Sequence, residues 1–185
     1  MTKLCSVGES NTNASVAWVQ RGTHLAIGTH IGTVELWDVE QYVTRSLAQS
    51  LEEHTADSRS SYSNQHVRLY NSHRARVGTM TWNTHLLTTG SRDRLIYHRD
   101  VRTKEQFSAR LVGHRQEVCG LQWSPDGQTL ASGGNDNHLL LWDARADTML
   151  TRFTEHAAAV KAIAWSPHQV CCSCVSSYSS CSSKY

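Results

Sequence analysis

The stretch Gly113-His-Arg-Gln-Glu-Val-Cys-Gly-Leu-Gln-Trp-Ser-Pro-Asp-Gly127, continued by Thr129-Leu-Ala-Ser-Gly-Gly134, Asn135-Asp-Asn137 and Leu139-Leu-Leu-Trp-Asp143, decides the fold. Residues 117–123 read as a short strand, apolar at Val118 and Leu121 with the alternation only loosely kept between them. Ser124-Pro-Asp-Gly127 follows as a tight turn, because the fixed φ of Pro suits the second position of such a turn and Gly the fourth. A run of small residues, a second turn at 135–137 and an apolar run ending in Trp-Asp complete three strands and two turns within about 30 residues.

The same order recurs on either side. Trp82, Trp123 and Trp165 close equivalent runs and lie 41 and 42 residues apart, the period of a four-stranded propeller blade. His85-Leu-Leu-Thr-Thr-Gly90 and Leu95-Ile-Tyr-His-Arg-Asp100 repeat the inner strands, as do His24-Leu-Ala-Ile-Gly-Thr29 and Val34-Glu-Leu-Trp-Asp38 around Trp18. The longer gap from Trp18 to Trp82 places an insertion at 43–66, rich in Ser, Arg and Asn with Glu52, Glu53 and Asp57, which reads as a mobile surface loop. No long segment carries a helical period with caps. The expected class is all-β: over 1–169, a WD-repeat β-propeller fragment with three full four-stranded blades plus the start of another, not a closed ring. Residues 170–185 form a low-complexity Ser/Cys tail expected to be disordered.

Composition excludes several classes. With 18 Lys+Arg against 16 Asp+Glu the formal net charge is +2, giving no reason to expect a nucleic-acid or membrane partner. No run approaches the ~20 apolar residues of a membrane span, and Met1–Gly8 lacks the apolar core of a secretory signal, which points to the nucleus and cytoplasm. Cys171, Cys172, Cys174 and Cys181 crowd into the tail while Cys5 and Cys119 stand alone, which is neither a disulfide framework nor the paired ligand clusters of a zinc site. No metal or cofactor is expected.

His114, Ser132, Asp136 and Trp142 superficially suggest a catalytic set. A nucleophile needs exposure and an oxyanion hole beside it, whereas these residues recur at blade positions buried between strands. The reading is a structural tetrad in which Asp136 accepts from His114, His114 bonds Ser132 and Ser132 meets the Trp142 indole. The second repeat keeps a partial tetrad, His73, Thr89 and Asp93, with Arg99 at the Trp position; the first keeps Trp37 but has Ile27 and Ile31 at the Ser and Asp positions. A catalytic set would not be scattered in this way, so no catalytic residue is assigned and the chain is not read as an enzyme.

Together with Gly90-Ser-Arg-Asp-Arg94, Asp100-Val-Arg-Thr103 and Ala159-Val-Lys-Ala-Ile-Ala-Trp-Ser-Pro-His-Gln169, the opening stretch closely resembles the WD-repeat domain of the Fizzy and Fizzy-related activators of the anaphase-promoting complex, leaning toward the Fizzy-related branch. The resemblance implies a non-enzymatic adaptor that holds degron peptides of substrate proteins and presents them to a ubiquitin ligase. It also implies a top-face site for the KEN degron, with Asn135 and Asn137 as peptide-binding residues, and a second groove for ABBA-type motifs between blades resembling the first two repeats. The resemblance stops at Gln169, so a truncated product is expected, without the family's destruction-box groove or the tails that dock on the ligase. The alternative from another class is a generic WD-repeat interaction scaffold without ligase activation.

Charge adds an independent expectation. Residues 68–115 contain ten Lys/Arg and three Asp/Glu, against six acids and two bases in 31–66. One face near the second repeat should be electropositive and attract acidic or phosphorylated peptides.

Overall fold

The computed structural model describes residues 11–19, 22–41, 43–44 and 67–166 and the backbone of 172–175. Three four-stranded antiparallel sheets succeed one another along the chain. The first is built from β1 (Asn13–Trp18), β2 (His24–Thr29), β3 (Val34–Asp38) and β4 (Arg68–Tyr70), with a helical turn at 39–41 continuing from β3. The second comprises β5 (Val77–Asn83), β6 (Leu86–Ser91), β7 (Leu95–Asp100) and β8 (Ala109–Val112), and the third β9 (Val118–Trp123), β10 (Thr129–Gly134), β11 (Leu139–Asp143) and β12 (Met149–Phe153). Each is a meander in which neighbours in sequence are neighbours in space, so each repeat is one blade. The insertion read at 43–66 lies, apart from 43 and 44, outside the described residues.

The fourth repeat goes further than its opening strand. β13 (Ala162–Trp165) pairs antiparallel with β14 (Cys172–Val175), Trp165 standing opposite Cys172. Four residues of the expected disordered tail are therefore a strand; the rest of the tail lies outside the described residues. An exposed strand edge offers a row of unpaired backbone donors and acceptors with which a further segment can pair.

A device repeated at each boundary holds the blades side by side. Gly28, Gly90 and Gly133 occupy the same position in the second strand of each blade, and a Cβ there would lie 2.9, 2.7 and 2.6 Å from the side chains of Val77, Val118 and Val160 respectively. Each valine begins the inner run of the next blade and is fully buried. Only a residue without a side chain leaves room for it. At the other end of the same strands, Trp82 Nε1 donates to the Ala17 carbonyl at 3.1 Å, Trp123 Nε1 to Thr88 Oγ1 at 3.2 Å and Trp165 Nε1 to the Gln122 carbonyl at 3.2 Å, each reaching the preceding blade. The apolar core follows these seams: one cluster joins Ala26, Val34 and Leu36 to Val77, Trp82 and Leu87, and another joins Ile96 and Leu111 to Val118, Trp123 and Leu140.

Candidate functional site

In the third blade the polar side chains form one ordered chain. Trp142 Nε1 donates to Ser132 Oγ at 2.8 Å, leaving the Ser132 hydroxyl to donate to His114 Nε2 at 2.8 Å; His114 Nδ1–H then donates to Asp136 at 3.1 Å. The indole can only donate, so the order of donors assigns His114 as the neutral Nδ1–H tautomer. Burial lowers the pKa of His114 despite the carboxylate beside it. Burial pushes Asp136 upward, yet the Arg115 N–H at 2.7 Å and the imidazole hold it net below the ordinary carboxylate range. Both lone-pair faces of Asp136 are occupied, because the His138 N–H also reaches it at 3.2 Å. Ser132 is fully buried within this hydrogen-bonded series, which fixes two loops and two strands.

The second blade preserves the plan with a different terminal donor. His73 Nε2 lies 2.8 Å from Thr89 Oγ1 and its Nδ1 2.9 Å from Asp93. Arg99, in the tryptophan's place, donates to Thr89 and, at 2.6 Å, to Ser72 Oγ. Its guanidinium is fully buried between the rings of Tyr70 and Tyr97, 5.5 and 5.3 Å from their centroids, and burial lowers its pKa to about 10. In the first blade no tetrad forms: Trp37 Nε1 donates instead to Glu35 at 3.1 Å.

The tetrads sit under one rim of the molecule. Each blade's second and third strands are joined there by an equivalent turn: His30 to Gly32, Arg92 to Arg94, and Asn135 to Asn137. The first residue of each donates its N–H to the carbonyl preceding the inner strand, namely Thr12, Arg76 and Glu117, at 2.9 Å in all three. The last has left-handed backbone, with φ of 99° at Gly32, 73° at Arg94 and 63° at Asn137. Asp93 and Asp136, at the middle position, bend back to cap the turn from within. The flanking residues therefore project outward.

Asn135 and Asn137 are half-buried and each has one amide atom committed. Asn135 Oδ1 accepts from the Cys119 thiol at 3.1 Å, and Asn137 Nδ2 donates to the Ala157 carbonyl at 3.3 Å. Among the described residues the remaining atoms, the Asn135 Nδ2 donor and the Asn137 Oδ1 acceptor, have no hydrogen-bond partner, so the turn offers one of each to whatever lies on the rim. Cys119 lies within the opening stretch and reads there as a lone thiol; its link to Asn135 depends on a strand and a turn meeting in space. Sequence reasoning also missed a buried polar bridge between blades, in which Trp123 donates to Thr88 and the Thr88 hydroxyl lies 2.8 Å from His98 Nδ1. Burial lowers His98 to a pKa of about 4.

Residues 105–143 match the family model for the WD domain, G-beta repeat. Protein FIZZY-RELATED 1 of Arabidopsis thaliana is 46% identical over 168 residues, which cover 91% of this chain and 31% of that protein. Over most of its length the chain is similar to WD-repeat proteins of the Fizzy-related group. Anaphase-promoting complex subunit cdh1 of Dictyostelium discoideum is a further relative, 38% identical over 202 aligned residues and covering 91% of this chain and 24% of that one. A chain in a crystal structure of a mitotic checkpoint complex superposes with a TM-score of 0.74 at 41% identity, over 90% of this chain and 44% of its own. The chain thus spans about a third or less of the length of the curated relatives it matches.

Proposed function

We propose that the chain is the degron-gripping part of an anaphase-promoting complex activator: a non-enzymatic adaptor that recruits substrate proteins to the ubiquitin ligase in cell-cycle-regulated proteolysis, in the nucleus and cytoplasm. Its partners are subunits of the complex and substrates carrying KEN-type or ABBA-type degrons. One observation carries the reading. Asn135 and Asn137 stand on a rim held rigid by the tetrad beneath, with one open donor and one open acceptor, the pairing an extended polar peptide needs. Preorganisation by His114, Ser132 and Asp136 removes the cost of ordering the turn when a peptide docks. The names of the relatives support the same assignment.

A fluorescein-labelled KEN peptide titrated against the chain tests it. Losing two amide hydrogen bonds of about 0.5–1.5 kcal/mol each, Asn135→Ala with Asn137→Gly, glycine being a residue that tolerates the φ of 63° at 137, should weaken binding about tenfold. Unchanged affinity would instead favour a WD-repeat scaffold without degron recognition.

A further inference from the structure

We propose that the turn at Arg92 and Arg94 is a second recognition site on the same rim, one that takes an oxyanion side chain, carboxylate or phosphate, on the peptide held at Asn135 and Asn137. The inference deepens the degron reading and rests on it. Blade equivalence places the two sites: Arg92 stands where the third blade has Asn135, and Arg94 where it has Asn137, in turns closed by the same bonds and with the same left-handed final residue. Neighbouring blades therefore present these pairs side by side, facing the same way.

The two turns are also physically linked. The Arg92 N–H donates to the Arg76 carbonyl, the Arg76 guanidinium pairs with Glu117 at 2.5 Å, and the Glu117 carbonyl accepts the Asn135 N–H. That ion pair consumes the charge of Arg76. Among the described residues Arg92 and Arg94 have no carboxylate partner and both are exposed, as are Arg74 and Arg115 on the loops beside them. The nearby carboxylates cannot neutralise them: Asp93 is turned inward onto His73 and the Arg74 N–H, and Asp136 onto His114 and the Arg115 N–H. An arginine with a left-handed backbone is uncommon, as that region is ordinarily left to Gly, Asn and Asp. Here it directs a planar guanidinium fork, suited to bidentate capture of carboxylate or phosphate, at the position where its neighbour presents an amide. A peptide is favoured over nucleic acid because the rim is basic only locally on a chain of net charge +2.

The test titrates the chain, and the variant R92Q/R94N, with three KEN peptides flanked on both sides by alanine, glutamate or phosphoserine. Asn at 94 keeps a residue that tolerates the left-handed turn. Exposed charge pairs contribute modestly one by one and here act as two, so acidic flanks should tighten binding to the parent chain by about tenfold. That gain should vanish in the variant and in 0.5 M salt, while the alanine-flanked peptide binds both chains alike. The glutamate and phosphoserine arms separate the two sources of the anion. An absent gain, or one that persists in R92Q/R94N, overturns the proposal. If no KEN peptide binds at all, the degron reading fails by itself; the same acidic flanks without KEN are then titrated, and binding that needs Arg92 and Arg94 sustains the oxyanion site whereas no binding overturns it. A single-stranded RNA of equal charge that binds as tightly and with the same arginine dependence also overturns it. R92Q alone replaces the double variant should the latter fail to fold.

Discussion

At the residue scale, the described histidines that matter are those whose neutral form the fold requires. His114 Nε2 and His98 Nδ1 accept from Ser132 and Thr88, whose own oxygens are claimed by the indoles of Trp142 and Trp123. A proton on either acceptor nitrogen would set two donors against each other in a buried site. With the folded pKa values of His73, His98 and His114 lowered below 6.5, the unfolded chain binds protons more readily than the folded one as pH drops. Stability should therefore be complete above about pH 6.5 and fall progressively below it, the His98 contribution being exhausted near pH 4. Thermal melts from pH 7.5 to 4.5 check this, and a flat profile across that window would contradict it. Ser132→Ala should leave the Trp142 N–H and the His114 acceptor without partners and cost about 2–3 kcal/mol in urea unfolding. A hydrolytic role for Ser132 would instead leave stability unchanged.

At the element scale, the sequence showed most of the blade plan because turns, Trp spacing and strand lengths are local signals. The repeats at Trp82, Trp123 and Trp165 were legible and so was the tetrad, since its four members recur at fixed offsets. What the sequence could not show was what its own markers do. The small-residue runs ending in Gly90 and Gly133 read as strand filler, yet those glycines are the sockets into which the next blade's valine fits; that partner is some 27 residues further on and visible only when the blades stack. The tail strand at Cys172–Val175 was missed for a similar reason, because its pairing comes from the edge it meets and not from its own composition. The socket makes a sharp prediction. Gly90→Ala puts a methyl 2.7 Å from Val118 Cγ1 and 2.9 Å from Thr79 Cγ2, overpacking that should cost about 1–3 kcal/mol. Val118→Ala removes the nearer clash, so the double variant should be more stable than the sum of the single changes predicts. Simple additivity would mean that the seam is not packed as described.

At the scale of the whole molecule, the first blade exposes the face by which each later blade rests on the one before it. Trp82, Trp123 and Trp165 each rest on the blade before them, whereas Trp18 at the same position is 53% exposed and Val16 beside it 56%. Asn13 stands where the other blades have their buried valine. An apolar face of this kind favours self-association, so Trp18→Ser should lower the sedimentation-average mass of the 185-residue chain at high concentration, or leave it unchanged if the chain is already monomeric; a rise would contradict the placement. The proposed function is tied to the opposite feature, the rim where blade order brings His30, Arg92 and Asn135 into succession. The most direct measurement is an NMR titration of the isotope-labelled chain with a KEN peptide. The account predicts amide shifts concentrated at 92–94, 135–137 and the adjoining loop at 113–117. Shifts centred on the far end of the blades, at 83–85 and 124–127, or none at saturating peptide, would contradict it.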